Sequence, residues 1–161
     1  MTEKRIYLNP DLCCGCKSCA AACSYAFWDH SRISHGVVDK AANLPMHCMH
    51  CEQAPCVESC PTEALKKDED GVVRRSAFLC VGCNSCINAC PFGVLPGDLK
   101  QHVPAKCDLC SGRLIEDKIP RCVAACTSGA LSFEEVDELT GDESKNWISA
   151  RMVSNAPFRR R

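Results

Sequence analysis

The chain has 161 residues, 17 of them Cys, and a formal net charge of −1. Leu, Ile, Val and Phe together make up about a fifth of the residues, close to the lower limit for a stable apolar core. This composition excludes a domain held together by aliphatic packing alone, and the absence of a wide basic patch argues against nucleic-acid binding. Cysteine chemistry must therefore contribute to the fold.

The predicted elements are short and lie around the cysteines. Residues 5–8 alternate like a strand, and an Ala-rich stretch at 18–28 predicts a helix. Residues 64–67 and 72–75 flank an Asp- and Gly-containing turn and predict a hairpin. Residues 130–134 predict a last strand. These elements are typical of a small α+β protein.

Sixteen of the cysteines fall into four groups of four. Groups one and three share the spacing C-x2-C-x2-C-x3-C, group two reads C-x2-C-x4-C-x3-C and group four reads C-x2-C-x11-C-x3-C. In chain order the groups are Cys13, Cys16, Cys19 and Cys23; Cys48, Cys51, Cys56 and Cys60; Cys80, Cys83, Cys86 and Cys90; and Cys107, Cys110, Cys122 and Cys126.

This spacing predicts metal binding, not disulfides. The chain opens without an export signal, so its thiols are expected to stay reduced in the cytoplasm, and it has no apolar run long enough for a membrane span. A C-x2-C-x2-C loop supplies three corners of a [4Fe–4S] cubane, and in bacterial two-cluster ferredoxins the fourth Cys serves the other cluster. Groups two and four, taken alone, also fit a zinc site.

With the x4 and x11 irregularities in this order, the four groups resemble a known family. It comprises the four-cluster iron–sulfur subunits of molybdenum and tungsten oxidoreductases, such as formate dehydrogenases and dimethyl sulfoxide reductase. Similar subunits serve hydrogenases and carbon monoxide dehydrogenase. The resemblance spans residues 6–133 and implies two bacterial-ferredoxin-like modules, each holding two clusters. One module would contain residues 1–45 with 98–136, the other residues 46–97, and residues 137–161 would form a tail.

The resemblance also implies a nested set of ligands for four [4Fe–4S] clusters. We call the four sets sites A to D, in the order of their first cysteine. Site A has Cys13, Cys16, Cys19 and Cys126; site B has Cys23, Cys107, Cys110 and Cys122; site C has Cys48, Cys51, Cys56 and Cys90; and site D has Cys60, Cys80, Cys83 and Cys86.

The implied function is electron transfer without catalysis. The chain would pass single electrons between a catalytic subunit and a second redox partner, and no residue pattern predicts a substrate site. The catalytic partner would be a molybdenum or tungsten enzyme, such as formate dehydrogenase or aldehyde oxidoreductase, or a hydrogenase. A flavin subunit, a second iron–sulfur subunit and self-association are further candidates, in an anaerobic cytoplasm. The alternatives are a free-standing polyferredoxin carrier and a zinc-binding interaction module.

Several residues near the ligands have competing interpretations. Cys14 is interpreted as a small packing residue outside the ligand sets, with a reserve ligand or redox thiol as the alternative. His47 and His50 bracket Cys48 and are expected either to hydrogen-bond around the site or to be exposed. Lys106 and Arg121 each precede a ligand, so they are the basic residues expected to tune cluster potentials.

Two predictions concern apolar residues away from the ligands. Tyr25, Phe27 and Trp28 are interpreted as packing residues, not as electron relays. A capping-box pattern at 140–143 predicts a helix in the tail, residues 137–161. That helix would either pack on its own domain or dock onto a partner subunit or a second copy.

Overall fold

The computed structural model describes residues 4–28, 30–38, 42–95, 105–114 and 118–135. The predicted tail at 137–161 lies outside these ranges. The described elements are short and mixed, as expected for an α+β fold. In chain order they are β1 (Lys4–Leu8), α1 (Ser18–Phe27), β2 (Ser34–Val38), β3 (Ala42–Met46), α2 (Pro55–Glu58), β4 (Leu65–Lys67), β5 (Val73–Arg75), α3 (Ser85–Ala89), α4 (Arg121–Ala124) and β6 (Leu131–Glu135).

The strands form three separate antiparallel pairs. β1 pairs with β6, from Lys4 opposite Glu135 to Leu8 opposite Leu131, so the two ends of the described chain meet. β4 pairs with β5, which confirms the predicted hairpin to within a residue. The pair β2–β3 was not predicted, because Gly36 and Pro45 interrupt its apolar alternation; Pro is tolerated in such a two-stranded edge.

Each helix begins beside a cysteine group, and α1 confirms the predicted helix with its end at Phe27. The other three helices have four or five residues. α1 packs against α4, and α2 packs against α3. Across the described ranges, no helix combines the length and the apolar character needed to cross a lipid bilayer.

One structural unit occurs twice in the chain. β1 leads into the first cysteine loop and α1, and β5 leads into the third cysteine loop and α3. In both loops the backbone turns through left-handed residues, with φ of 67° at Gly15 and 63° at Lys17, and 70° at Gly82 and 60° at Asn84. Glycine adopts this conformation without strain, whereas Lys17 and Asn84 adopt it at a cost.

Two apolar clusters support the two copies of the unit. The larger is built around β1, α1 and β6 and includes several cysteines. The smaller consists of three buried residues and the partly buried side chains packed on them. The buried members of the larger cluster are Ile6, Leu8, Cys19, Cys23, Ile33, Leu44, Val72, Leu109, Cys122, Ala130 and Leu131; those of the smaller cluster are Ala54, Leu65 and Val73.

Buried cationic side chains connect the two copies. Arg5, from β1, donates through Nη2 to the carbonyl oxygen of Gly71 at 3.0 Å. Lys106 donates through Nζ to the carbonyl oxygen of Val73 at 2.6 Å. Val72, beside that hairpin, belongs to the larger apolar cluster. The β4–β5 hairpin is therefore the element through which the two copies contact each other.

Candidate metal centres

The cysteines of site A surround one small cavity between the first cysteine loop and the start of β6. Gly15 and Leu131 complete the wall on the cysteine side, and His35 and Pro45 close it from the β2–β3 pair. Residues 110 positions apart in sequence are thus brought together by the pairing of β1 with β6. The cavity-lining cysteines of the set are Cys13, Cys16, Cys19 and Cys126.

The cysteines of site C surround a second cavity. The β4–β5 hairpin contributes Val73 to its wall, and Val94 and Leu95 contribute apolar side chains. His50 and Lys106 supply the polar part of the lining. The cysteines come from groups two and three, and they are Cys48, Cys51, Cys56 and Cys90.

Site D surrounds a third cavity, beside the smaller apolar cluster. Arg75 and Leu65 line it from the hairpin, and Thr62 lines it from the loop that precedes β4. Backbone N–H of Ala64 donates to Sγ of Cys60 at 3.3 Å, a hydrogen bond that a thiolate would strengthen. The four cysteines in this cavity are Cys60, Cys80, Cys83 and Cys86.

Site B is the most deeply buried of the four sets. Cys23, Cys110 and Cys122 are all buried, and Cys107 is enclosed beside them. Burial, together with the neighbouring thiolates of Cys110 and Cys23, raises the pKa of Cys122 to about 12. The backbone N–H of Arg32 donates to Sγ of Cys23 at 3.2 Å. The structure thus brings the members of sites A, C and D around one cavity each, whereas the members of site B are related through the effects of their charges on one another.

The first and third cysteine loops carry the same local hydrogen bonds. The hydroxyl of Ser18 lies 3.4 Å from Sγ of Cys16, and hydrogen bonds from Ser18 lower the pKa of that thiol. Ser85 lowers the pKa of Cys83 in the same way. Both serines begin a helix directly after a left-handed residue. Hydrogen bonds of this kind favour the thiolate, which is the form that binds metal.

The pKa values of the interior thiols are raised, in contrast to those of Cys16 and Cys83. Burial raises the pKa of Cys56 to about 11 and raises that of Cys107 well above its ordinary value. Deprotonating several such thiols without a counter-charge is unfavourable. A metal centre supplies that charge, so loading it into these sites would release protons.

The chemistry of these cavities fits a multinuclear cluster. Within the described ranges, no three Cys, His, Asp or Glu side chains converge on the position of a single metal ion. The cysteines of sites A, C and D instead line a cavity, which is the arrangement a cubane requires. His50 accepts a hydrogen bond at Nδ1 from the backbone N–H of Val73 at 3.0 Å, while its buried Nε2 has no partner. Because Nδ1 accepts, the ring proton of His50 is on Nε2, and this N–H group would donate to an inorganic sulfide in site C.

Lys106 connects sites B and C. Its Nζ donates to Sγ of Cys48 at 3.2 Å and to the carbonyl oxygen of Cys107 at 3.1 Å. The side chain is almost fully buried, so solvent screens its charge only weakly. Lys106, singled out from its position beside Cys107, therefore contacts a ligand of a different set, 58 residues away.

Other predictions about residues near the ligands need correction. His47 and His50 are both buried, which excludes the interpretation that they are exposed. Burial lowers the pKa of His47 to about 4, and its Nε2 donates to the carbonyl oxygen of Ile6 at 3.2 Å. Cys14 lines the cavity of site A beside the four cysteines of that set, in agreement with a position next to the cluster site, and it is exposed. Short-range sequence patterns contain no signal for these differences in burial.

The interpretation of the three aromatic residues at the end of α1 as packing residues is wrong for Tyr25 and Trp28 and confirmed for Phe27. Tyr25 and Trp28 are exposed and contact each other, with ring centroids 5.8 Å apart. Phe27 does pack, but its ring lies against two cations. The guanidinium carbons of Arg32 and Arg113 lie 4.6 Å and 4.3 Å from the ring centroid.

The fold and the cysteine sets define a ferredoxin-type iron–sulfur protein. Models of two protein families match the chain. The 4Fe–4S dicluster domain matches residues 39–136, and a 4Fe–4S binding domain matches residues 10–26. The chain belongs to the 4Fe–4S dicluster domain family.

Relatives match most of the chain. The thiosulfate reductase electron transfer subunit PhsB of Salmonella typhi is 34% identical over 167 residues, covering 95% of this chain and 85% of the relative. One polypeptide of the anaerobic dimethyl sulfoxide reductase of Shigella flexneri is 35% identical over 158 residues, covering 86% of this chain and 76% of the relative. The ferredoxin-like protein YdhX of Escherichia coli is 40% identical over 148 residues; the match covers 84% of this chain and 65% of that protein.

Proposed function

We propose that each of sites A to D holds one [4Fe–4S] cluster and that the four cysteines of each set are its ligands. The observation that carries this proposal is that three separate cavities are each lined by all four cysteines of one set, drawn from two groups, with Cys14 as a fifth cysteine in the cavity of site A. The same distribution favours two ferredoxin-like modules, residues 1–45 with 98–136 and residues 46–97. Each module then contains a complete pair of exchanged cysteine groups.

The function of the chain is single-electron transfer, not catalysis of a bond-making step. A [4Fe–4S] cluster changes its charge by one electron when it is reduced or oxidised. The cysteines hold the clusters at defined separations, and the surrounding groups set how favourable the added negative charge is. Lys106, with its buried ammonium group beside Cys48, and His50, with its unpaired Nε2, favour the reduced state of site C.

The electron path follows the order A, B, C, D. Cys19 of site A is close enough to Cys122 of site B for its charge to raise the pKa of Cys122. Cys48 of site C has the same effect on Cys107 of site B. Sites C and D border the smaller apolar cluster, through Cys56 and Cys60 respectively. Sites A and D are therefore the ends of the path.

The partner is the catalytic subunit of an oxidoreductase. The relatives from Salmonella typhi and Shigella flexneri, named as an electron transfer subunit and as a component of a reductase, support this assignment. We infer a molybdenum or tungsten enzyme as the catalytic partner and a second redox protein at the other end. We also propose a cytoplasmic location, because a reducing compartment keeps cysteine thiols available for cluster binding.

Metal analysis of the intact, anaerobically purified protein tests the cofactor assignment. We expect about sixteen irons and as many acid-labile sulfides per chain, since each cubane contains four of both. Reduction should bleach the broad visible absorbance and produce electron paramagnetic resonance signals from interacting clusters. A colourless protein containing zinc would contradict the proposal and favour the interaction-module alternative.

Purification from the native source tests the partner. A tagged chain should co-purify with a catalytic subunit, and reduced substrate or dithionite should transfer electrons between them. Recovery of a loaded, redox-active chain without any stable partner would favour the free-standing carrier instead. Fractionation of the same cells locates the complex and tests the cytoplasmic assignment.

A further inference from the structure

A fourth cavity is bordered by Cys107 of site B, and half of its lining residues are cationic. It forms where the end of α1, the loop after α1, strand β5 and the fourth cysteine group meet. Its lining contains five cationic side chains and one carboxylate. The cations belong to Arg32, Arg74, Arg75, Lys106 and Arg113, and the carboxylate belongs to Asp108.

Three of the five cations have identified hydrogen-bond acceptors. Arg74 forms ion pairs with Asp68 and Asp70. Arg113 forms an ion pair with Asp108, and Lys106 donates to a thiol and two carbonyl oxygens as described above. These three side chains are held in place by the protein itself.

Arg32 and Arg75 differ from those three. Nε of Arg32, and Nε and Nη1 of Arg75, are buried without a hydrogen-bond acceptor; Nε of Arg113 is also buried and unpaired, but that residue keeps its ion pair through Nη2. Burial lowers the pKa of Arg75, and the nearby charge of Arg32 lowers it further, whereas Cys80 and Cys86 of site D raise it. Two guanidinium groups that repel each other thus face the same cavity.

We propose that this cavity binds one small multivalent oxyanion, of the phosphate or sulfate class, between Arg32 and Arg75. The guanidinium fork presents parallel N–H donors that match two oxygens of such an anion. A divalent anion between the two groups replaces their mutual repulsion with two attractive interactions. The stacking of Arg32 on Phe27 fixes the direction of one fork before the anion arrives.

Anion titration of the cluster-loaded full-length protein tests the site. Inorganic phosphate and sulfate are added at constant ionic strength, balanced with chloride, and binding is measured by isothermal titration calorimetry. We expect saturable binding of one anion per chain. Arg32→Gln and Arg75→Gln should each weaken it at least tenfold, whereas Lys66→Gln, an exposed residue paired with Glu63 outside the cavity, should leave it unchanged.

Charge-conserving variants keep the test decisive if a glutamine variant does not fold. Arg32→Lys and Arg75→Lys retain the charge but lose the fork, so they should still weaken binding measurably. Absence of saturable binding, or equal affinity in all variants, would overturn the proposal and leave the two arginines as counter-charges for the neighbouring clusters. Iron content, measured on the same samples, reports separately on the proposed cofactors.

Discussion

The two copies of the strand–loop–helix unit each hold a cysteine loop, but the apolar clusters beside them differ in size. The outer half, residues 4–46 with 105–135, has a five-residue strand pair and the ten-residue helix α1. The inner half, residues 47–95, has three-residue strands and a five-residue helix α3. Eleven buried residues form the larger apolar cluster, against three in the smaller one.

The same contrast is visible in the thiols. Four cysteines of the outer half are buried, namely Cys19, Cys23, Cys110 and Cys122, whereas none of the eight cysteines of the inner half is buried. One large apolar cluster therefore supports the outer half, whereas most of the buried apolar residues of the inner half lie outside the smaller cluster. The same loop conformation therefore forms beside a large or a small apolar cluster. We expect the stability of the inner half to depend more on its metal centres than that of the outer half.

Removal of all iron should have the largest effect, and an unequal one. Under anaerobic chelation, we expect the inner half to unfold while β1, β6 and α1 keep part of their structure, because the apolar cluster of the inner half has three buried members and is completed by the cysteines Cys56, Cys60 and Cys86. Amide exchange should show protection in the inner half falling by about 100-fold, or roughly 3 kcal/mol, before the outer half is affected. Equal loss of amide protection in both halves would contradict the expected difference in their dependence on metal.

Substitution of a deeply buried cysteine should cost a whole cluster. Cys122→Ala leaves site B with three cysteines in a site that solvent cannot complete, so iron content should fall from about sixteen to about twelve per chain. The matched control is Cys14→Ala, which removes an exposed thiol near site A. This variant should retain the full iron content. Iron loss in the control would mean that Cys14 is a ligand.

Removal of the buried ammonium group should shift a potential without loss of iron. Lys106→Met should lower the potential of site C on the order of 100 mV, because a charge-assisted hydrogen bond contributes roughly 1.5–3 kcal/mol and a tenfold change corresponds to about 59 mV for one electron. Redox titration followed by electron paramagnetic resonance measures this shift. Lys67→Met, on an exposed side chain of β4, should leave all potentials unchanged; a matching shift there would indicate a non-specific charge effect.

The smallest effect is expected at the exposed end of the inner half. Phe78→Ser should change the free energy of unfolding by less than about 0.5 kcal/mol, because the side chain packs against nothing in the described part of the chain. Iron content should stay constant, while electron exchange of site D with its partner, measured by stopped-flow absorbance, should slow. A loss of iron would show that Phe78 shields the cluster site.

Much of the local structure was predictable from sequence. The Gly15 and Gly82 turns, the helix starting at Ser18 and the β4–β5 hairpin all depend on residues a few positions apart. The β2–β3 pair was missed because its sequence lacks a regular apolar alternation. The exposure of Trp28 was missed because the amphipathicity of a short helix does not report what the other elements cover.

The sequence by itself determined the number of cysteine groups and the turns at Gly15 and Gly82, because spacing and glycine placement act over a few residues. Tertiary structure decided which groups surround one cavity, how deeply each thiol is buried, and that Lys106 reaches Cys48. It also placed Arg32 beside Arg75. Those properties depend on the pairing of β1 with β6 and on packing between distant segments, which no local pattern encodes.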